Sequence, residues 1–384
     1  MKIKIRYYIL LFLLTISACQ EHLKLPDTPY FLTFMGNYGQ DEAIGILADD
    51  NEQLYIAGNL SKGKSIYWTQ LNAFGHQQWH LTWGDSSQQH IADWQLNSTH
   101  LFATGHIVDQ HRAAQLSLWK MNKTSGQLES LSYPSELPYP TWGQKIQLLE
   151  NGGLLLAGNY ALTTTQQGAL FLLLDPQGEL LWQQSYSQLQ AYDQIIDMRQ
   201  NEQGYQVIGN IIAEGKATIR TIQLNDDGEI LWAQTLRDQP TLEAVAVHWH
   251  PSEIRLLATE KEGEQQQTVV LKLTAKGQLK NKITLTAEAN NTAADLLAVG
   301  DHYFVLRNVI LDTRQTNALV EKYDAQFNLI WQQQYGSDWQ DDAQKLFARS
   351  TGPGFLATVN FDNKNENANT KIAIYALDQE GVLR

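Results

Sequence analysis

Apolar residues in this chain come in short runs separated by polar turns, and no stretch keeps the 3.6-residue stripe of a long helix. Runs such as Leu154-Leu155-Leu156-Ala157 and Leu170-Phe171-Leu172-Leu173-Leu174 are bounded by turn residues and predict β-strands. The turns themselves repeat. Segments of the form Asp/Asn/Thr-x-x-(x)-Gly end at Gly75, Gly126, Gly178, Gly228, Gly277 and Gly381, and a seventh runs from Asp324 to Asn328 with Asn328 in the glycine position. Successive spacings are 51, 52, 50, 49, 51 and 53 residues. A short hairpin of this kind needs one residue at positive φ, where glycine is favoured and asparagine is the next most tolerant choice.

Other markers keep the same period. Small residues at Ala43, Ala92, Ala244, Ala294 and Ala343 open a first strand. Ala57-Gly58-Asn59, Ala157-Gly158-Asn159 and Ile208-Gly209-Asn210 close a second. About four strands in each fifty-residue period, repeated radially, predict an all-β fold: a seven-bladed β-propeller with four strands per blade over 31–384. The last period ends at Val382-Leu383-Arg384, short of an outer strand, while Phe34-Met35-Gly36-Asn37-Tyr38-Gly39 precedes the first. The N-terminal segment is therefore expected to supply the missing strand and close the ring, removing two open sheet edges.

A tryptophan follows the turn at a fixed distance in Glu179-Leu180-Leu181-Trp182, Glu229-Ile230-Leu231-Trp232, Leu329-Ile330-Trp331 and His76-Gln77-Gln78-Trp79. Its area is expected to fill the cleft between neighbouring blades. Together with Asn151-Gly152-Gly153-Leu154-Leu155-Leu156-Ala157-Gly158, these segments resemble the tryptophan-docking repeats of quinoprotein-type propellers and the Gly-Gly-rich propeller repeats of bacterial surface proteins. That resemblance implies a fold, and such propellers host many roles. Quinone enzymes of the kind pair their cofactor with a vicinal disulfide, whereas this chain has one cysteine, Cys19, so no cofactor is expected.

The N-terminus carries an address. Lys2, Lys4 and Arg6 precede an apolar stretch, Tyr7 to Ile16, that is short for a membrane span. It ends in Ile16-Ser17-Ala18-Cys19, which resembles the bacterial lipobox. The resemblance implies that residues 1–18 are a lipoprotein signal peptide, that Cys19 is acylated and becomes the lipid anchor, and that 19–30 form a tether. The expected location is the cell envelope, and Gln20 after the cysteine resembles outer-membrane sorting. Removing 1–18 takes three positive charges and moves the formal net charge from -13 to -16. A body this acidic repels phosphate backbones, so nucleic acid is not an expected partner.

Asp41, Asp193 and Asp342 lie where the first strands of their repeats begin, and are the candidate ligand-binding residues of a central funnel. The alternative is that each caps its own turn. His248-Trp249-His250 puts two imidazoles on one strand face, with Glu243 or Glu253 as the nearest further ligands, and no metal is expected there. No Gly-x-Ser-x-Gly elbow, phosphate loop or His-Glu-x-x-His motif occurs. The expected function is a non-catalytic envelope scaffold that binds proteins, resembling in anchor and fold class the propeller lipoprotein of the outer-membrane-protein assembly machinery. The alternatives are a glycan-binding surface lipoprotein using some of its eleven tryptophans, and an enzyme with a funnel site.

Overall fold

The computed structural model describes residues 29–383 apart from 62, 85–87, 109–112, 164–165, 188–193, 214–215, 237–240, 286–289, 312–314, 338–339 and 361–369. The expected signal peptide, Cys19 and most of the expected tether lie outside the described residues, as does Asp193.

Seven four-stranded antiparallel sheets make a seven-bladed β-propeller, with no helix among the described residues. Blades 1 to 6 each take four consecutive strands, spanning 42–83, 88–132, 141–186, 194–235, 241–284 and 291–335. Blade 7 takes three strands within 341–376, and its outer strand is Phe31–Gly39, which pairs antiparallel with Thr370–Ala376. The N-terminal segment thus closes the ring, as expected.

Position within a blade dictates composition. In blade 3 the two middle strands, Leu154–Ala161 and Gln167–Leu174, are buried almost throughout because both faces meet other blades. Such strands read as continuous apolar runs, whereas the outer strand Leu180–Tyr186 mixes half-buried with exposed positions. The apolar core is distributed accordingly: seven clusters form, each built from two neighbouring blades. No blade buries its faces alone, so the ring is the unit of stability.

Each inner strand carries a β-bulge, at Ile44, Ala92, Gln144, Ile196, Val245, Ala294 and Gln344 in blades 1 to 7. The small residues of the first strand therefore do not share one position. Ala43, Ala244 and Ala343 precede the bulge, while Ala92 and Ala294 are the bulged residues. A bulge leaves backbone groups outside the ladder, and the preceding blade satisfies them. Asn59 accepts from the Ile91 N–H at 2.9 Å and donates to the Ile91 carbonyl at 3.1 Å. Asn210 does the same to Ala244, and Asn308 to Ala343. Thr259 and Thr358 accept from Ala293 and Ala43 in the equivalent joints. The Gly-Asn marker of the second strand is thus an inter-blade clip. Its glycine is needed because a Cβ at Gly105 or Gly158 would lie 1.8 or 1.9 Å from the carbonyl oxygen of His90 or Trp142.

At the rim, aromatic rings of one blade cover the turn glycine of the next. A Cβ added to Gly126 would meet the Trp79 ring at 2.5 Å, one at Gly228 the Trp182 ring at 2.8 Å, and one at Gly381 the Trp331 ring at 2.5 Å. Phe31 of the closing strand covers Gly75 in the same way. Blade 2 has Ser130 where the tryptophan would stand, and Gly178 beyond it has nothing within 4 Å. Blade 5 has Asn281 there, and the turn beyond it is the one without glycine. Its positive-φ residue is Phe327, at 67°, rather than Asn328. Phe327 stacks on Tyr303 at 4.6 Å and is buried, so ring packing offsets a backbone cost of about 1–2 kcal/mol.

Candidate functional site

The inner strands surround an axial channel, and the residues after the bulges form a ring around it that lines its cavities in blades 1, 2, 3, 6 and 7. Around the ring these are Gly45, Asp93, Lys145, Asp197, Ala246, Asp295 and Lys345. Two cavities share Asp93, Lys145 and Lys345 among their walls: one of about 310 Å³ toward the starts of the inner strands, one of about 440 Å³ beyond the charges. The charged residues thus divide a mouth from a lower chamber.

Each carboxylate is used. Asp93 accepts from the Ile146 N–H of the next blade at 3.0 Å and from Lys145 Nζ at 3.2 Å. Asp295 repeats the arrangement, with Leu346 N–H at 2.8 Å and Lys345 Nζ at 3.4 Å. Asp197 accepts from the Met198 N–H at 2.9 Å and from the Trp249 indole at 2.7 Å. Burial acts against the Lys145 ammonium, but Asp93, Asp197 and Asp295 outweigh it and hold its pKa above the usual lysine range. Burial raises Asp197 despite the opposing pull of Lys145 and its hydrogen bonds. The pattern Asp-Lys-Asp on blades 2 to 4 and Asp-Lys on blades 6 and 7 is interrupted at Gly45 and Ala246. Gly45 makes room for Trp94, whose indole nitrogen would lie 2.7 Å from a Cβ there.

The mouth is polar. Glu42, His90, Gln144, Gln194 and Gln344 line it, and Gln144 also accepts from the Ile195 N–H at 2.8 Å. His90 and His106 stack at 5.3 Å beneath Glu42, and burial pushes His106 down to about 4, so this pair is neutral near pH 7.

The sequence-predicted funnel residues separate. Asp41 is 2 % exposed, and its Oδ1 accepts from the Ser61 N–H at 3.2 Å, beyond the end of the second strand, so it ties two strand ends rather than capping its own turn. Its counterpart in blade 7 is the buried Asp341, while Asp342 stands one position later, exposed at the mouth beside Thr358 across the ladder. Asp193 is outside the described residues. His248 and His250 lie 6.4 Å apart near the far end of their strand, where His248 meets the Tyr303 ring edge-on and His250 meets Ser252. Glu253 is engaged by Arg255 and Lys280, and Glu243 by Lys261. Among the described residues no three His, Cys, Asp or Glu side chains converge on a metal position.

The axial ring of Asp93, Lys145, Asp197, Asp295 and Lys345 was missed by sequence reasoning. One signal was present: a charged residue directly before an apolar one inside the first strand, as in Asp93-Trp94, Lys145-Ile146, Asp197-Met198, Asp295-Leu296 and Lys345-Leu346.

No protein-family model matches the sequence, and no curated protein matches it. Among solved structures, the chain is similar to an ulvan lyase, a polysaccharide lyase bound to -[GlcA(1-4)Rha3S]-. The TM-score is 0.58 at 11% identity, over 91% of this chain and 97% of that one. The likeness is one of fold. The AfRom2 CNH domain, also 11% identical, matches over 90% and 98% with a TM-score of 0.46.

Proposed function

We propose that this chain is a lipid-anchored envelope protein whose propeller is a non-catalytic platform, binding a partner protein at the channel mouth. The observation that carries this reading is the state of the axial charges. Every carboxylate of the ring is tied to a backbone N–H or an indole, and two of the three are also tied to a lysine. They join blades and are not poised as free acids or bases. Above them the exposed Glu42, Gln194 and Asp342 and the half-buried Gln344 offer hydrogen-bonding groups with a net negative character. This chemistry suits a polar, basic segment of a protein partner.

A glycan site draws less support, since stacking needs open aromatic faces and every described tryptophan is buried or half-buried. The sugar bound to the ulvan lyase belongs to that protein. In cells, a photo-crosslinking residue at Gln194 or Gln344 should trap discrete proteins, and the same probe at the rim residue Leu231 should not. Adducts from Leu231 alone, or none from the mouth, would sink this reading. The anchor is tested separately: wild type should take up labelled fatty acid and Cys19→Ser should not.

A further inference from the structure

Strand direction fixes where the chain leaves the ring. The closing strand begins at Phe31, opposite Ala376, and ends at Gly39, opposite Thr370, from which the chain enters the inner strand of blade 1 at the channel mouth. Phe31 therefore lies at the other face, where the tight turns within each blade are. Its ring covers Gly75 in the outer turn of blade 1. The chain preceding it is held there as well. The Arg349 guanidinium, buried at 9 % exposure, donates to the carbonyl of Pro29, to that of Ala73 in the blade 1 turn, and to that of Leu377. It also stands over the Phe31 ring at 5.8 Å. Ser350, next to it, donates to Glu52 in the inner turn of blade 1, so the exit point sits where the turns of blades 7 and 1 meet.

The depth of the domain follows from the closing strand: nine residues at ~3.3 Å each make ~30 Å. From Cys19 to Pro29 there are ten residue steps, at most ~35 Å fully stretched. Bringing the mouth to the membrane would require the tether to run the full depth of the domain almost straight. The turn face meets no such requirement. Its exposed tips carry Asp50, Glu150, Glu202, Asp226, Asp227 and Glu380, which repel anionic headgroups and hold this face off the surface rather than flush against it.

Resting on the reading of Cys19 as the lipid anchor, we propose that the propeller stands with its turn face toward the membrane and its channel mouth toward the aqueous compartment, with Arg349 as the clamp that fixes the exit of the tether. The partner at the mouth is then a protein segment presented from the aqueous side, and neither lipid nor a segment embedded in the same leaflet.

The lipidated full-length protein is reconstituted in vesicles of phosphatidylethanolamine and phosphatidylglycerol carrying a headgroup-linked acceptor dye. Donor dyes are placed at Gln326→Cys, on an exposed turn of blade 6, or at Glu264→Cys, on the exposed mouth-side hairpin of blade 5; the Cys19 thiol is occupied by its lipid. Energy transfer from position 326 should exceed that from 264 at least twofold. An Arg349→Met variant that keeps the wild-type melting temperature should narrow the difference. Equal or reversed transfer in protein that floats with the vesicles overturns the orientation alone. Failure to float overturns the anchor and the orientation with it.

Discussion

Rim and axis of this propeller are built on different plans. At the rim one device recurs, an aromatic ring laid on the turn glycine of the next blade, and it recurs even across the closure, where Phe31 on Gly75 does what Trp182 does on Gly228. The aromatic ring stands in four of the seven joints; Ser130 and Asn281 replace it in blades 2 and 5, and Gly277 meets Thr221 rather than Trp232. At the axis the repetition is of another kind: the seven equivalent positions hold glycine, alanine, three aspartates and two lysines, and the Asp-Lys pair of blades 2 and 3 recurs in blades 6 and 7.

The comparison breaks most sharply at the closure. Deleting 31–39 removes the rim device and the outer strand of blade 7 together, leaves the edge of Thr370–Ala376 unpaired and strips Phe31 and Met35 from the core shared by blades 7 and 1. A loss of more than ~5 kcal/mol is expected, comparable with the whole stability of many domains. Deleting 20–28 should leave the melting temperature unchanged. Equal melting of the two truncations would refute closure by this strand.

One middle-strand position escapes the plan of both regions. Arg307 is fully buried, ion-paired to Glu321 across its own blade and bonded to the Asn291 side chain and the Leu285 carbonyl. Burial raises the Glu321 pKa against the pull of Arg307. Arg307→Met should cost about 3–5 kcal/mol by stranding the carboxylate, and Arg307→Met with Glu321→Leu should recover most of it. Urea unfolding of the two variants decides the point, and no recovery would mean that the pair does more than satisfy itself.

The mouth has its own signature in acid. The His106 pKa is lowered from 6.5 to about 4 by burial and by His90. An unfolded chain therefore takes up a proton that the folded chain refuses, and stability falls as pH drops from 6.5 through about 4. The effect is on the order of 2–3 kcal/mol. His106→Gln should flatten that part of the pH profile, and an unchanged slope would remove the histidine stack from the account.

Rim joints can be compared with one another. Gly178 and Gly228 both sit at positive φ, 90° and 80°, but only Gly228 lies under a ring. Alanine at either should cost about 1 kcal/mol for the backbone. Gly228→Ala should cost a further ~1–2 kcal/mol because Trp182 must move. Thermal melts showing equal losses would mean that the rings do not set these joints.

The same division explains what could be read from the sequence. Turns, strand count, closure and the tryptophans were legible because each repeats at a fixed interval. The seventh turn was read one residue off, since Phe327 at positive φ is stabilised by stacking on Tyr303 of the same blade, a tertiary contact that no local rule supplies. Ala92 and Ala294 were aligned one position late because a small residue stands at the bulge in blades 2 and 6 and before it in blades 1, 5 and 7. That slip hid the axial ring. Asp41 and Asp342 looked equivalent, but the counterpart of Asp41 is Asp341; Asp41 ties two strand ends and Asp342 faces the mouth.

The central proposal is that the mouth is the binding surface while the rim holds the ring. It is tested most directly by in-cell crosslinking from Gln344 in a Glu42→Gln/Gln194→Ala variant, read beside Gly228→Ala in otherwise unchanged protein. The mouth variant should melt like wild type and lose its adducts, and the rim variant should melt lower and keep them. Adducts that survive the mouth substitutions, or that vanish with the rim substitution while the protein remains folded, would contradict it.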